Sequence, residues 1–331
     1  MTPPPEVVVC DLHGPDADLL AAMAVVATVT AEQQGGLPPR RAERELAVRR
    51  LVDAGEETQL LVAGDRADPD GVATLTFELG SNAHVAHIDV WVPEDRRRRG
   101  TGSGLLSAAE QWARVAGRTV GMAEVDSPAP SGRAFFEAKG YVSAYRAVVN
   151  RILLEAVDRS LLASWAEDPD PAYELVLLDG AVPDDLVPPL LQAMGGMSDA
   201  PHEDLDLDPR VATAEGIKGL EAVAGAAGHR RWTYLAVHVP SGEGAGFTSV
   251  RWDPEEPTVV WQRGTAAAPR HRGHGLGRRL KAAMLLHLLA NAGGAREVRT
   301  DNAGTNAHMR AINDALGFAP WAEKVAMQKR L

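Results

Sequence analysis

The stretch PRHRGHGLGRRLKAAML, residues 269–285, decides the fold. In it, a glycine-rich turn with Arg272, Gly275 and Gly277 leads directly into a segment with helical apolar spacing. Glycine reaches positive φ angles and lets the backbone approach a ligand closely. The first turn of a helix offers unpaired N–H groups and the positive end of the helix dipole. The combination is typical of a phosphate-binding site.

The same pattern occurs earlier, as RRRRGTGSGLLSAAEQWA at residues 96–113. Its Arg97, Gly100 and Gly102 each lie 175 residues before their counterparts in the second stretch. One glycine turn alone is a weak signal, and a turn that binds no ligand is the alternative for either copy. Two copies in register favour a chain built from two phosphate-binding domains.

Helical spacing predicts which face of each following helix is buried. After the second turn, one apolar stripe follows an i, i+4 pattern: Leu276, Leu280, Met284 and Leu288. After the first turn, the predicted stripe consists of Leu105, Ala108, Trp112 and Val115.

Two other phosphate-binding patterns are absent from the sequence. A dinucleotide fingerprint needs G-x-G-x-x-G, but Arg278 and Leu105 occupy the position of the third glycine in the two copies. The Walker pattern G-x-x-x-x-G-K-[ST] does not occur.

The pattern V/A-x-P-x-x-R-x-x-G-x-G before a helix resembles the acyl-CoA-binding motif of the GNAT acetyltransferase superfamily. The second copy matches it at Pro269, Arg272, Gly275 and Gly277. The first copy matches at its arginine and glycines, but Pro93 lies one residue further from them. Residues 300–318 resemble the family's second motif, an asparagine-containing turn and a helix ending in Leu-Gly-Phe, and residues 127–141 are their counterpart.

The resemblance implies an α/β (α+β) fold with two tandem domains, each a mixed, mostly antiparallel sheet flanked by helices. The predicted boundaries are 1–155 for the N-terminal domain, 156–172 for a linker containing DPDP, and 173–331 for the C-terminal domain. Both motifs fit better in the second copy, which we predict to be catalytic. The first copy is predicted to be degenerate.

The resemblance also implies acetyl-CoA as cofactor. In the second copy the expected cofactor-binding residues are Ala266, Ala267, Arg272, Gly273, His274, Gly275, Leu276, Gly277, Arg278 and Asn306. A second candidate cofactor site in the first copy comprises Val92, Arg97, Arg98, Arg99, Gly100, Thr101 and Gly102. A backbone N–H in residues 265–267 is expected to polarise the thioester carbonyl.

The sequence departs from the family where the leaving thiolate is protonated. Many members carry a tyrosine seven residues after the asparagine of the second motif, but this chain has Asn313 there, and Phe136 in the first copy. Asn313 is a candidate catalytic residue because its amide can donate a hydrogen bond to the sulfur. A helix-capping or core amide is the alternative.

The segment SDAPHEDLDLD, residues 198–208, concentrates acidic groups between the predicted first helices of the second copy. We predict that it borders the acceptor pocket, where Asp199, His202, Asp204 and Asp206 would contact a cationic amine. Asp199 and Asp204 are candidate bases. The alternative is a solvated acidic loop, and the segment lacks the D-x-[DN]-x-[DN]-G pattern of a calcium loop.

Composition limits the partners. The formal net charge of −11 disfavours nucleic-acid binding. Cys10 is the only cysteine, which excludes an intramolecular disulfide and a cysteine-based metal site, and no metal is predicted. The apolar stretches are too short to span a membrane, so no membrane partner is predicted. The single cysteine fits a reducing cytoplasm, which is the predicted location, and the protein is expected to be a monomer or homodimer.

These patterns together predict an N-acetyltransferase that moves an acetyl group to a primary amine of a small molecule or peptide. Two alternatives stay open. One is an acyl-CoA-binding sensor or scaffold without catalysis, since both tyrosines are missing. The other is a specialised acetyltransferase such as mycothiol synthase, which is also a tandem protein.

Overall fold

A computed structural model describes residues 6–35, 37–53, 58–127, 131–167, 170–197, 204–208, 211–303 and 306–331. The chain forms two compact units. The N-terminal unit comprises Met1–Arg146, His202–Asp208 and Glu323–Leu331, and the C-terminal unit comprises Ala147–Pro201 and Pro209–Ala322. Within the described ranges, no helix combines the length and the apolar character needed to cross a membrane.

Up to Glu137, the described part of the N-terminal unit combines five strands with four helices. Its elements are β1 (Val7–Cys10), α1 (Asp16–Gln33), α2 (Ala42–Asp53), β2 (Thr58–Gly64), β3 (Pro69–Phe77), β4 (Val85–Trp91), α3 (Thr101–Val115), β5 (Val120–Ser127) and α4 (Ser131–Glu137). The strands follow the order β1-β2-β3-β4-β5, and only the β4–β5 pair is parallel. This sheet confirms the predicted mixed, mostly antiparallel architecture.

The last strand of the N-terminal unit comes from the other end of the chain. Strand β12 (Ala319–Arg330) pairs antiparallel with β5, from Glu323 opposite Ser127 to Arg330 opposite Val120. Val325 and Met327 are buried in the apolar core of this unit. The final nine residues therefore complete the N-terminal sheet, whereas the predicted boundaries assign them to the C-terminal domain.

Helix α3 packs against this sheet with a different face from the predicted one. Its buried apolar residues are Leu105, Leu106, Ala109 and Ala113. Of the predicted stripe, Leu105 is buried and Ala108 packs partly buried against the core. Trp112 and Val115 are 42% and 76% exposed, so the prediction is wrong at those two positions. Alanine lets a helix lie close to a sheet, and a large aromatic ring on the neighbouring face is left partly in solvent.

The C-terminal unit repeats the architecture. Its elements after β6 (Val142–Leu153) are α5 (Arg159–Ala166), β7 (Tyr173–Asp179), α6 (Val187–Met194), α7 (Ala214–Ala226), β8 (Arg230–His238), β9 (Glu243–Trp252), β10 (Val259–Ala267), α8 (Leu276–Asn291), β11 (Glu297–Ala303) and α9 (Ala307–Leu316). Residues 147–153 of β6 belong to this unit, and the strands follow the order β6-β11-β10-β9-β8-β7. Here only β10 and β11 pair in parallel.

Helices cover both faces of this sheet. Met284 and Leu288 of α8 pack with Leu162 of α5 in one core, and α6 contributes Leu190 to a second core. All four residues of the stripe predicted on α8 are buried, which confirms that prediction.

The segment predicted as a linker contains helix α5. Asp158 caps this helix by accepting hydrogen bonds from Ser160 N and Leu161 N, and Leu162 is 1% exposed. The described part of the segment thus contributes to the core of the C-terminal unit.

Candidate functional site

The glycine turn of the C-terminal unit presents an open helix N-terminus. Gly273 and Gly275 have φ angles of 85° and 70°, and α8 begins at Leu276. Gly275 is the N-cap residue, and no side chain caps the helix. The first amides of α8 and the positive end of its dipole are therefore placed to bind an anion.

The N-terminal unit builds the same turn with one difference. Gly100, with φ of 91°, is the N-cap of α3, again without a side-chain cap. Arg98, at the position equivalent to Gly273, has φ of 66°. A non-glycine residue in the left-handed region costs about 1 kcal/mol. The first copy is therefore strained where the second is relaxed.

We expect Arg98→Gly to raise the free energy of unfolding by about 1 kcal/mol, because glycine removes that strain. The measurement is denaturant unfolding, in which the midpoint concentration should rise while the slope of free energy against denaturant stays unchanged. Arg99→Gly is the matched control, since Arg99 is not among the described residues with positive φ. Equal midpoints for the two variants would show that Arg98 carries no strain.

The arginine of each motif braces its turn. Arg272 Nε donates to the carbonyl of Ala267 at 3.3 Å, and Arg97 Nε donates to the carbonyl of Val92 at 2.9 Å. These contacts tie each turn to the end of the preceding strand. The Arg272 guanidinium also reaches Gly196 O, just after α6, at 3.3 Å, and that of Arg97 reaches Glu32 Oε2, near the end of α1, at 3.1 Å. In the structure both arginines thus hold the turn in place.

Two parallel strands diverge next to each turn. Strands β10 and β11 are paired from Val259 opposite Glu297 to Trp261 opposite Arg299, and β10 continues to Ala267. A register irregularity in the β9–β10 pairing falls between Gln262 and Thr265, where β10 departs. Strands β4 and β5 behave alike beyond His87 and Met122. The gap between the diverging strands can admit an extended ligand chain.

A buried acceptor without a partner lies where this gap opens. Gln262 is 1% exposed, and its Nε2 donates to Thr248 Oγ1 at 2.9 Å. Its Oε1 is buried and accepts no hydrogen bond from the residues that the structure describes. Such an oxygen is costly unless a donor reaches it. The amide N–H groups of a pantetheine chain are donors of the required kind, so this gap and the turn beside it fit coenzyme A.

The other predicted cofactor residues have diverse surroundings. Leu276 is 2% exposed and belongs to the core, so it offers a ligand only its backbone. Asn306 caps α9, where its Oδ1 accepts from Met309 N at 3.1 Å. His274 Nδ1 lies 3.6 Å from Asp170 Oδ2. Ala266 is buried and Ala267 partly so.

His271, within the glycine turn, is buried and supports the turn through side-chain contacts. It is 8% exposed, its Nδ1 lies 3.2 Å from the Tyr173 hydroxyl, and its Nε2 lies 3.3 Å from Glu243 Oε2. Burial raises the pKa of Tyr173, and the Asp170 carboxylate adds to this effect. These contacts fasten the turn to the ends of β7 and β9.

The described part of the acidic segment, residues 204–208, belongs to the N-terminal unit, whereas the prediction placed the segment in the C-terminal unit. Asp206 N donates to Gln328 Oε1 at 3.0 Å, and Gln328 Nε2 donates to Asp204 O at 2.9 Å. Leu205 and Leu207 pack against an apolar cluster of β4 and β5. The two leucines within the acidic run thus attach it to that sheet. Asp199 and His202 lie outside the described residues.

Sequence reasoning missed Asp89 in the N-terminal unit. This carboxyl group lies on β4 beyond the last pair with β5, where the two strands diverge. Burial raises the pKa of Asp89, whereas the nearby Arg49 guanidinium lowers it. The available signal was an acidic residue inside the apolar run HIDVWV.

It also missed Lys281, which joins Asn313 in a buried network. Asn313 is 1% exposed and accepts a hydrogen bond from Lys281 Nζ, while its Nδ2 donates to Asn302 Oδ1 at 2.5 Å. Asn313 and Asn302 line a cavity of about 160 Å³ in the C-terminal unit. The signal was a lysine next to Leu280, on the face of α8 that meets α9.

No group of three or more histidine, cysteine, aspartate or glutamate side chains suited to a metal ion occurs within the described ranges.

Comparison with protein families identifies this architecture. The model of the acetyltransferase (GNAT) family matches residues 29–141 and 210–318, about two thirds of the chain. The chain therefore belongs to the GNAT acetyltransferase family, with two copies of the domain, as the sequence motifs predict.

Two solved structures resemble this chain over nearly its whole length. A tandem GNAT protein from the clavulanic acid biosynthesis pathway, determined without acetyl-CoA, has a TM-score of 0.80 and 26% sequence identity, covering 98% of each chain. A GCN5-related N-acetyltransferase from Sphaerobacter thermophilus has a TM-score of 0.62 at 18% identity, covering 98% of this chain and 95% of that one. The second likeness shows the fold alone. No curated protein sequence is significantly similar to this chain.

Proposed function

We propose that the protein transfers an acetyl group from acetyl-CoA to a primary amine of a small molecule or peptide, and that the C-terminal unit carries the reaction. The observation that carries this proposal is the uncapped N-terminus of α8, behind two positive-φ glycines and beside diverging strands. The corresponding turn of the N-terminal unit is strained at Arg98.

The turn and the gap would hold the cofactor together. The amides of residues 273–277 would bind the pyrophosphate, and Gln262 Oε1 would accept from the pantetheine chain. Acetyl-CoA supplies an acetyl thioester: the amine nitrogen bonds to the carbonyl carbon, the carbon–sulfur bond breaks with its electron pair on sulfur, and the amine proton passes to solvent. A backbone N–H in residues 265–267 would stabilise the carbonyl oxygen.

The acceptor amine must be neutral to attack, and an ordinary alkyl ammonium has a pKa of about 10. The described carboxylates of the acidic loop belong to the N-terminal unit, so they do not support the predicted base in the C-terminal unit. Water or an acceptor with a lowered pKa would serve there. The clavulanic acid pathway of the tandem neighbour favours a small-molecule acceptor over a peptide.

One observation favours transfer in the N-terminal unit as a second candidate. Asp89 combines a raised pKa with a position beside the diverging strands β4 and β5. A carboxylate with a raised pKa is a better proton acceptor than an ordinary one. The second candidate function is therefore the same reaction with Asp89 as base.

The test is thiol release from acetyl-CoA with a panel of amines: amino acids, polyamines, aminoglycosides, peptide N-termini and cysteinyl-glucosamine-inositol, the acceptor of mycothiol synthase. We expect one class to raise the rate well above hydrolysis in water. Saturable acetyl-CoA binding without turnover on any amine would instead support a sensor or scaffold.

If the C-terminal unit carries the reaction, Asp89→Asn is expected to change kcat by less than about twofold, because the carboxylate lies in the other unit. A loss of about 100-fold or more is the size expected for removing a general base, and would transfer the reaction to the N-terminal unit. The exposed Asp95→Asn, also in the N-terminal unit, is the control.

A further inference from the structure

Lys281 is a buried amine, and no carboxylate among the described residues contributes to its electrostatic surroundings. Lys281 lies on α8 and is 1% exposed. The amine donates to Asn313 Oδ1, lies 4.0 Å from Met309 Sδ, and is 5.1 Å from the centre of the Phe318 ring. None of these three partners carries a charge.

Burial of this kind opposes the charged form of the amine. It lowers the pKa of Lys281 to about 7, with no carboxylate contributing to the shift. The amine is therefore divided between its charged and neutral forms at neutral pH. A methionine would fill the same space without the cost of desolvating an ammonium group.

The amine fixes the orientation of two amides. Because the charged amine of Lys281 can only donate, it holds Asn313 with its Oδ1 toward the lysine and its Nδ2 toward Asn302. Asn302 lies on β11 beyond Arg299, the last residue paired with β10. The network therefore runs from the core to the point where the two strands have diverged. Arg310 and Asp314 of α9 are the charged residues in the lining of the adjoining cavity.

We propose that Lys281 is a positioning residue for acetyl transfer, which holds Asn313 and Asn302 and places a positive charge behind the leaving sulfur. This inference rests on the proposed function in the C-terminal unit. The pair Lys281–Asn313 then takes over the role expected of the missing tyrosine: it stabilises the negative charge on sulfur as the carbon–sulfur bond breaks. The thiolate is protonated by water, and the charged form of Lys281, which carries this role, keeps its proton.

The first test uses the free protein and needs no turnover. NMR titration of labelled lysine amines should show one amine with a midpoint near pH 7, absent in Lys281→Met. The unfolded chain binds this proton up to pH about 10.5, the folded chain only up to about 7. The unfolding midpoint of the wild type should therefore rise between these pH values relative to Lys281→Met.

The second test is kinetic, with acetyl-CoA and the best amine of the panel. Lys281→Met should lower kcat about tenfold at pH 6, where the amine is charged, and less above pH 8, with KM for acetyl-CoA unchanged. Met284→Leu, a substitution at another fully buried position of α8, is the matched control and should leave this pH profile intact. The double variant Lys281→Leu/Asn313→Tyr should recover kcat relative to Lys281→Met.

Each outcome decides the proposal. A kcat of Lys281→Met equal to that of the wild type across the pH range overturns it, as does a lysine midpoint near 10. A pH-independent loss together with a weaker KM would indicate a structural lysine and overturns it as well. Absence of wild-type turnover on every amine overturns the proposed function itself, and the NMR titration separates that case from a misassigned lysine.

Discussion

Gly275→Val should weaken acetyl-CoA binding at the C-terminal unit by at least about 100-fold, the equivalent of roughly 3 kcal/mol. Gly275 has φ of 70°, which a β-branched residue adopts only with strain. An added Cβ would also lie 3.0 Å from Arg278 Nε, beside the amides proposed to bind the pyrophosphate. The measurement is equilibrium dialysis with labelled acetyl-CoA.

Two control variants distinguish loss of the binding turn from the general cost of placing valine at a positive φ angle. Gly180 has φ of 82° in the same unit, and a Cβ there would meet nothing within 4 Å, so Gly180→Val carries the backbone cost without touching the turn. Gly100→Val makes the equivalent change in the N-terminal unit. Both should retain the binding that Gly275→Val loses. Unchanged affinity in Gly275→Val would show that the turn does not bind acetyl-CoA.

Met327→Asp should unfold the N-terminal unit and leave the C-terminal unit folded. Met327 is fully buried, lies on β12, and belongs to the core between the sheet and α3. Burying an unpaired carboxylate costs several kcal/mol, comparable with the stability of a domain. Hydrogen exchange should therefore lose protection in β2 to β5, and retain it in β8 to β10 of the C-terminal unit.

Arg330→Asp is the matched control, because Arg330 is on the same strand and exposed. It should leave exchange in both units unchanged. Retained protection of β2 to β5 in Met327→Asp would show that the N-terminal unit is stable without its last strand.

Sequence alone predicted the elements with strong local signals. Gly100, Gly273 and Gly275 have positive φ angles, which favour glycine, so the sequence could predict both turns. The i, i+4 stripe of α8 is buried as expected. On α3 the same reasoning failed, because hydrophobicity ranks Trp112 above Ala109, whereas close packing against the sheet selects the smaller side chain. Family membership followed from the spacing of two motifs.

Long-range pairing was beyond the sequence. Nothing local to residues 323–330 indicates that they pair with β5 about two hundred positions earlier. The acidic loop was misplaced for the same reason, since its charges suggested a pocket while Leu205 and Leu207 determine where it binds. Lys281 was overlooked because a lysine on a helix is usually solvated, and only the contact with Asn313 reveals its burial.

Amide hydrogen exchange with and without acetyl-CoA directly tests whether the turn before α8 binds the cofactor. If the turn binds acetyl-CoA, exchange in residues 270–281 should slow when acetyl-CoA is added, because the open amides become hydrogen-bonded to phosphate oxygens. We also predict that Gly275→Val removes this change. Saturable binding that leaves exchange in residues 270–281 unaltered, or no binding at all, would contradict this prediction.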